Sequence, residues 1–328
     1  MLIYLLRRVL IIIPTLLAVS IVAFLVIQAP PGDFLTVYIG QLESRGEQVA
    51  DDQAQALRVR WGLDQPLSVQ YFKWLRSMLR GNMGFSMAYN RPVTELIAER
   101  LPWSVTISLA ALFIVYLIGL PVGMISAIHQ YSLRDYVFTV IGFLGLAIPN
   151  FLFALVLLWG SYQLTGRVAV GLFSQEYQLA PWSFAKLLDL LKHVWMPALI
   201  VGTAGTAFLI RTLRANLLDE LNKQYVMVAR SKGLSEQRVV YKYPFRIAIN
   251  PAISTLGWTL PTLVSGELLT SMVLGIPTLA PIFLTSLRTQ DMFLAGSIVF
   301  VLSILTVLGT LLSDVLLAFL DPRMRGAV

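Results

Sequence analysis

The sequence predicts an all-α integral membrane protein. It has six transmembrane helices, an outer helical subdomain after the first span and a cytosolic loop between the fourth and fifth. Three observations carry this. The 328 residues are 57% hydrophobic and 13% charged, with a mean hydropathy of +0.73. Soluble domains carry about 25% charged residues, so the chain has too little polar surface to coat a soluble particle of its size. The charges it has leave long uncharged runs. The basic residues also gather in particular loops.

About 20 apolar residues cross a hydrocarbon layer as a helix. Runs meeting this requirement place spans at 9–29, 104–128, 136–164, 194–213, 251–274 and 293–320. The first is read as a retained anchor, because its apolar core is longer than a signal-peptide core of roughly 7–15 residues. Gly119 and Gly123 stand four apart in the second span, a spacing that lets helices approach closely. Pro149, followed by Asn150, interrupts the third. A break there is tolerated either beside a water-lined path or in ordinary kinked packing.

Orientation follows from the loops. Residues 211–246 carry eight basic residues against three acids, which places this segment in the cytosol with both termini. The loop 30–102 then lies outside; its eight basic residues balance eight acids. It reads as a helical subdomain on the membrane. Asp51 and Asp52 cap a short helix ending near Gly62. Ser68 caps another, with Val69, Phe72, Leu75, Met78 and Leu79 on one face and Gly81 at its end.

The cytosolic loop, 214–248, reads as two short helices. One runs from about Ala215 to Lys232, with Leu217, Leu221, Tyr225 and Val228 near one face. Gly233 stops it in a left-handed conformation. Ser235 caps the next, Glu236 sits in its first turn, Pro244 ends it and Pro251 opens the fifth span. A basic helix–turn–helix of this kind can bind anionic headgroups or dock a partner protein.

Several chemistries lack their motifs. There is no cysteine, no Gly-x-x-x-x-Gly-Lys-Ser/Thr loop, no paired histidines on one helix turn and no Gly-x-Ser-x-Gly elbow. The two histidines, His129 and His193, fall at span ends. No catalytic residue, metal site or cofactor site is therefore expected in this chain. Glu267 is the one acid inside the fifth span. An intramembrane carboxylate is a functional candidate by default. It can line a polar path, or it can bond a neighbouring span near the outer interface. Pro149 and Asn150 are the other candidates for a path.

The segment Gln224-Tyr225-Val226-Met227-Val228-Ala229-Arg230-Ser231-Lys232-Gly233-Leu234-Ser235 resembles the cytosolic coupling loop of binding-protein-dependent ABC importer permeases. It is most similar to the B-type subunit of the dipeptide/oligopeptide permeases. The resemblance continues in Tyr4-Leu5-Leu6-Arg7-Arg8, in Trp61-Gly62-Leu63-Asp64-Gln65-Pro66-Leu67, in Glu99-Arg100-Leu101-Pro102 and in Asp321-Pro322-Arg323-Met324-Arg325. It departs where the general family has Glu-Ala-Ala and this chain has Met227-Val228-Ala229. It departs again where relatives have glutamate at the position of Ser271 and this chain has Glu267 one turn earlier.

The resemblance implies an inner-membrane permease subunit that does no bond chemistry. Its implied partners are a second homologous permease, two cytosolic ATPase subunits or domains holding ATP and Mg, and an outer solute-binding protein. Tyr225, Ala229, Arg230, Lys232, Gly233, Leu234 and Ser235 would form the contact to the ATPase. The cargo would be a di- or oligopeptide, an oligosaccharide or another small solute. An intramembrane protease and an ion-coupled secondary transporter are the rival readings.

Overall fold

The computed structural model describes residues 2–28, 34–44, 55, 56, 59, 64–166, 168, 170–256, 259, 262 and 267–320. Helix dominates among them. Leu2–Gln28 forms α1, Phe34–Ser44 α2 and Leu67–Leu79 α3; a two-residue hairpin pairs Phe85–Ser86 (β1) with Arg91–Pro92 (β2). Val93–Ile128 forms α4, Leu133–Ala147 α5, Asn150–Thr165 α6, Gln175–Gln178 α7 and Phe184–Leu221 α8. Gln224–Ser231, Glu236–Lys242, Pro244–Ala248 and Asn250–Ser254 are α9 to α12. Leu268–Leu274, Leu279–Arg288 and Met292–Leu320 are α13 to α15.

By contact the chain forms two units: Trp103–Pro277 with Thr306 onward, and Leu2–Pro102 with Thr278–Leu305. In the second unit α3 buries Tyr71, Trp74 and Met78 against Phe24 of α1 and Met292. Ser20 and Tyr71 hydroxyls bond at 2.8 Å, and the Phe24 and Tyr71 rings meet edge to face at 5.4 Å. Of the face expected from the sequence, Met78 is buried and Leu75 packs partly against this cluster. Val69, Phe72 and Leu79 are exposed, because the larger aromatics capture the interior. Ser68 is not the cap either: Pro66 occupies that position and its ring pre-sets the entry. The helix expected between Asp51 and Gly62 has both bounding positions outside the described residues.

In the first unit α4 and α8 are the long members. Each is apolar and long enough to cross a membrane, as is α15. Where α4 meets α8 the backbones approach without side chains between them. A Cβ on Gly123 would stand 3.1 Å from the Ile210 carbonyl, and one on Gly202 3.1 Å from that of Ala111. α8 runs well past the span expected at 194–213. Ser183 starts it by accepting the Lys186 N–H at 3.2 Å, and it continues to Leu221.

The third expected span is not one straight helix. α5 and α6 meet at 105°. Pro149 has no N–H to continue the ladder, and the residue before it, Ile148, is driven to an extended conformation (φ −82°, ψ 120°). The fifth expected span, 251–274, is described only at α12, α13 and a few residues between them; the rest lies outside the described residues.

Candidate functional site: the hairpin after α8 and the buried carboxylate

The loop between α8 and α12 begins where α8 stops at Leu221. The expected single helix from Ala215 to Lys232 is two helices: α8 ends at its cap, Asn222, and α9 restarts at Gln224. The break resets the helical phase. Val228, expected on the inner face with Leu217 and Leu221, is therefore exposed, and Val226 and Ala229 are buried instead.

Gly233 has φ +75°, the left-handed region expected of it. Its N–H donates to the Arg230 carbonyl at 2.9 Å, closing α9. Nothing stands within 4 Å of a Cβ placed there, so glycine is required by the backbone and not by space. Ser235 precedes α10 in an extended conformation, but its hydroxyl makes no capping bond. The turn brings α9 and α10 together over Val226, Ala229 and Val239, flanked by Tyr225, Leu234 and Tyr243.

Ala229 thus faces the hairpin's own core rather than the solvent. Arg230 grips Glu236 across the turn with bonds of 2.5 and 3.1 Å. That guanidinium holds the Glu236 carboxyl below its ordinary range. The Tyr225 hydroxyl donates to Glu220, tying α9 back to α8. Lys232, Gly233 and Ser235 are exposed at the turn, with Leu234 half-buried.

The hairpin does not hang free. α11 follows α10 directly and packs Ala248 with Leu213 and Leu217 of α8 and Ala127 of α4. Tyr116 of α4 donates its hydroxyl to the Ala252 carbonyl of α12 at 2.7 Å. The hairpin is thus tied to both long helices through close-packed contacts.

Sequence reasoning missed two features. Met227, Val228 and Tyr241 are each 53% exposed, a set of apolar side chains presented by a polar, basic element. The phase of α9, which carries Met227 and Val228, could not be read without the break at Asn222. The second is Arg214 of α8, which grips Asp135 of α5 with two bonds of 2.8 Å. Asp135 also accepts from the Ser126 hydroxyl and the Tyr131 N–H. An acid near an otherwise apolar span was the available signal.

Glu267 is fully buried, and the Ser104 hydroxyl of α4 donates to its Oε1 at 2.7 Å. Pro149 is exposed at the α5–α6 break and Asn150 is half-buried. The three candidates for a path thus differ in environment. His193 bonds the Asp189 carbonyl one turn earlier at 2.7 Å and lines a cleft of about 860 Å³ with Phe173, Ser174 and Glu176.

Two family models cover the chain. Residues 119–326 match the binding-protein-dependent transport system inner membrane component, and residues 1–110 match its N-terminal region. The chain belongs to this permease family. The oligopeptide transport system permease protein AppB of Bacillus subtilis is 34% identical to it over 98% of this chain and 99% of AppB. The dipeptide transport system permease protein DppB of Escherichia coli is 26% identical over 99% of both. Among solved structures, an inward-facing form of the MetNI methionine ABC transporter matches with a TM-score of 0.50 and 16% identity. That match covers 69% of this permease and 96% of the matched chain, and it speaks to the fold alone. The permease is a multi-pass inner-membrane subunit of an ABC importer of the oligopeptide/dipeptide type.

Proposed function

We propose that this permease forms half of the translocation path for a di- or oligopeptide, with a second homologous permease forming the other half. The α9–α10 hairpin receives the stroke of a cytosolic ATPase. ATP and Mg are held by two ATPase subunits or domains, and an outer solute-binding protein delivers the cargo. Both termini lie in the cytosol. The observation that supports this most is the hairpin itself, closed at Gly233, locked by Arg230 and Glu236 and packed through α11 onto α8 and α4.

Within it the residues divide by position. Tyr225, Ala229 and Leu234 hold the hairpin's shape. Arg230, Lys232, Gly233 and Ser235 form its exposed turn, beside Met227 and Val228. The peptide cargo is carried over from the named relatives, AppB and DppB.

The test is a reconstituted complex with ATP hydrolysis and uptake measured side by side. Gly233→Val forces a β-branched residue into a left-handed conformation, at a cost of about 1 kcal/mol or more. Val228→Asp charges an exposed apolar position without touching the hairpin core. Both variants should insert and pair with the second permease, as read by pull-down. Stimulated ATP hydrolysis and uptake should fall together. Normal coupled activity in both would remove the hairpin from the transmission path. Ala229→Asp should unfold the hairpin, and rapid amide exchange over 224–242 would mark that separate effect.

A further inference from the structure

α5 and α8 run antiparallel: Asp135 meets Arg214, Gly142 faces Ala207, and Gly145 faces Thr203. Between them lies a groove of about 200 Å³. It exists because its floor has almost no side chains. A Cβ on Gly142 would come no nearer than 4.0 Å to any neighbour, and that neighbour is the Ala207 methyl. Phe138, Phe143, Leu146 and Ile210 wall the groove, and Arg211 and Arg214 stand towards one end.

The two arginines are not equivalent. Asp135 neutralises Arg214 with two bonds. Arg211 makes no ion pair among the described residues; its guanidinium lies over the Phe208 ring at 6.0 Å, and the side chain is exposed. Arg134 is also exposed, four residues before Phe138 and so on the same stripe of α5. The groove is therefore basic towards the start of α5 and apolar towards Leu146. On its α5 flank Val140, Ile141 and Leu144 are exposed, a wholly apolar surface. An amphiphile with an anionic head and an apolar tail matches this gradient.

We propose that the α5–α8 groove binds an anionic phospholipid, with its phosphate at Arg211 and part of one acyl chain over Gly142 and Ala207. The inference rests on the membrane placement of these helices and is independent of the cargo and of the coupling hairpin.

The chain has no cysteine, so one can be introduced cleanly. Leu146→Cys carries a fluorophore in the intact transporter, reconstituted in phosphatidylcholine discs doped with phosphatidylglycerol. Brominated acyl chains on either lipid then report which one occupies the groove. Brominated phosphatidylglycerol should quench at about fivefold lower mole fraction than brominated phosphatidylcholine, the preference expected from one basic residue near the surface. Arg211→Gln should abolish the preference and Arg211→Lys should retain it. Gly142→Leu should abolish it by filling the groove with all charges in place. Equal quenching by the two lipids, or a preference that survives Arg211→Gln, overturns the proposal. So does a label that neither lipid quenches, or an unlabelled Leu146→Cys that crosslinks to the second permease, which would make the groove a subunit interface. Uptake activity enters none of these readouts, so this inference and the transport reading fail separately.

Discussion

Asp291, between α14 and α15, holds three neighbours at once. It accepts from the Ser86 hydroxyl at 2.6 Å, the Ala88 N–H at 3.1 Å and the Leu294 N–H at 3.2 Å, joining the β1–β2 hairpin to the first turn of α15. Asp291→Ala leaves these donors without an acceptor and should cost about 2–3 kcal/mol. Faster amide exchange over residues 84–94 would show it. Burial pushes the Asp291 carboxyl up, against the pull of its donors. The folded state therefore binds this proton more tightly than the unfolded one. Its contribution is full below the ordinary aspartate value near 3.9 and is lost as pH rises through the folded value. Asp291→Asn should remove that part of the stability slope in detergent unfolding curves. Glu267 asks a different question, because it is buried with Ser104 as donor. Glu267→Gln keeps an acceptor at Oε1 and replaces the ionisable oxygen with an amide nitrogen. Uptake should fall several-fold with the assembled complex intact, measured by transport and by subunit content. Parallel loss of both would assign Glu267 to packing.

At the scale of elements, the packing of α4 on α8 depends on positions without side chains. The closest neighbours of a Cβ on Gly123 or Gly202 are backbone carbonyls, which cannot swing away as a flexible side chain can. Gly123→Val should therefore destabilise the first unit by about 1–3 kcal/mol, read as a lower unfolding midpoint and a lower yield of folded complex. Gly160 of α6 is the control, since nothing stands within 4 Å of a Cβ there. Gly160→Ala should lower neither measure, and helix propensity should raise the midpoint slightly. The break between α8 and α9 matters at the same scale. Two residues, Asn222 and Lys223, separate the long membrane helix from the hairpin and decide which side chains α9 presents.

For the whole molecule the outstanding quantity is sidedness. The charge of the short loops predicts 211–246 and both termini in the cytosol and 30–102 outside. Reporter fusions at Gly46 and at Lys223 should report opposite sides of the membrane. Finding both on one side would overturn the six-span arrangement, and with it the position of the hairpin beside an ATPase. The 105° bend between α5 and α6 makes this measurement worth extending to a fusion after Thr165. An outside signal there means the pair crosses as a broken span, and a cytosolic signal means it re-enters.

The sequence alone determined the medium, the helical class, the family and the turn at Gly233. Each depends on local quantities: charge density, the length of apolar runs, and the one residue type that accepts a left-handed backbone without strain. It also marked Pro149 as an interruption, because a missing N–H acts wherever proline stands. Tertiary structure alone decided which face of each short helix is buried. The aromatic pair Tyr71 and Trp74 displaced Val69, Phe72 and Leu79 from the interior side of α3 while Leu75 and Met78 kept theirs, and the break at Asn222 moved Val228 outward and Ala229 inward. It alone brought Asp135 to Arg214, 79 residues apart, and Ser86 to Asp291, 205 apart. A short helix carries too few turns for its own periodicity to specify a face. A polar pair distant in sequence leaves no local pattern, and only the packing of whole elements brings its two members within bonding distance.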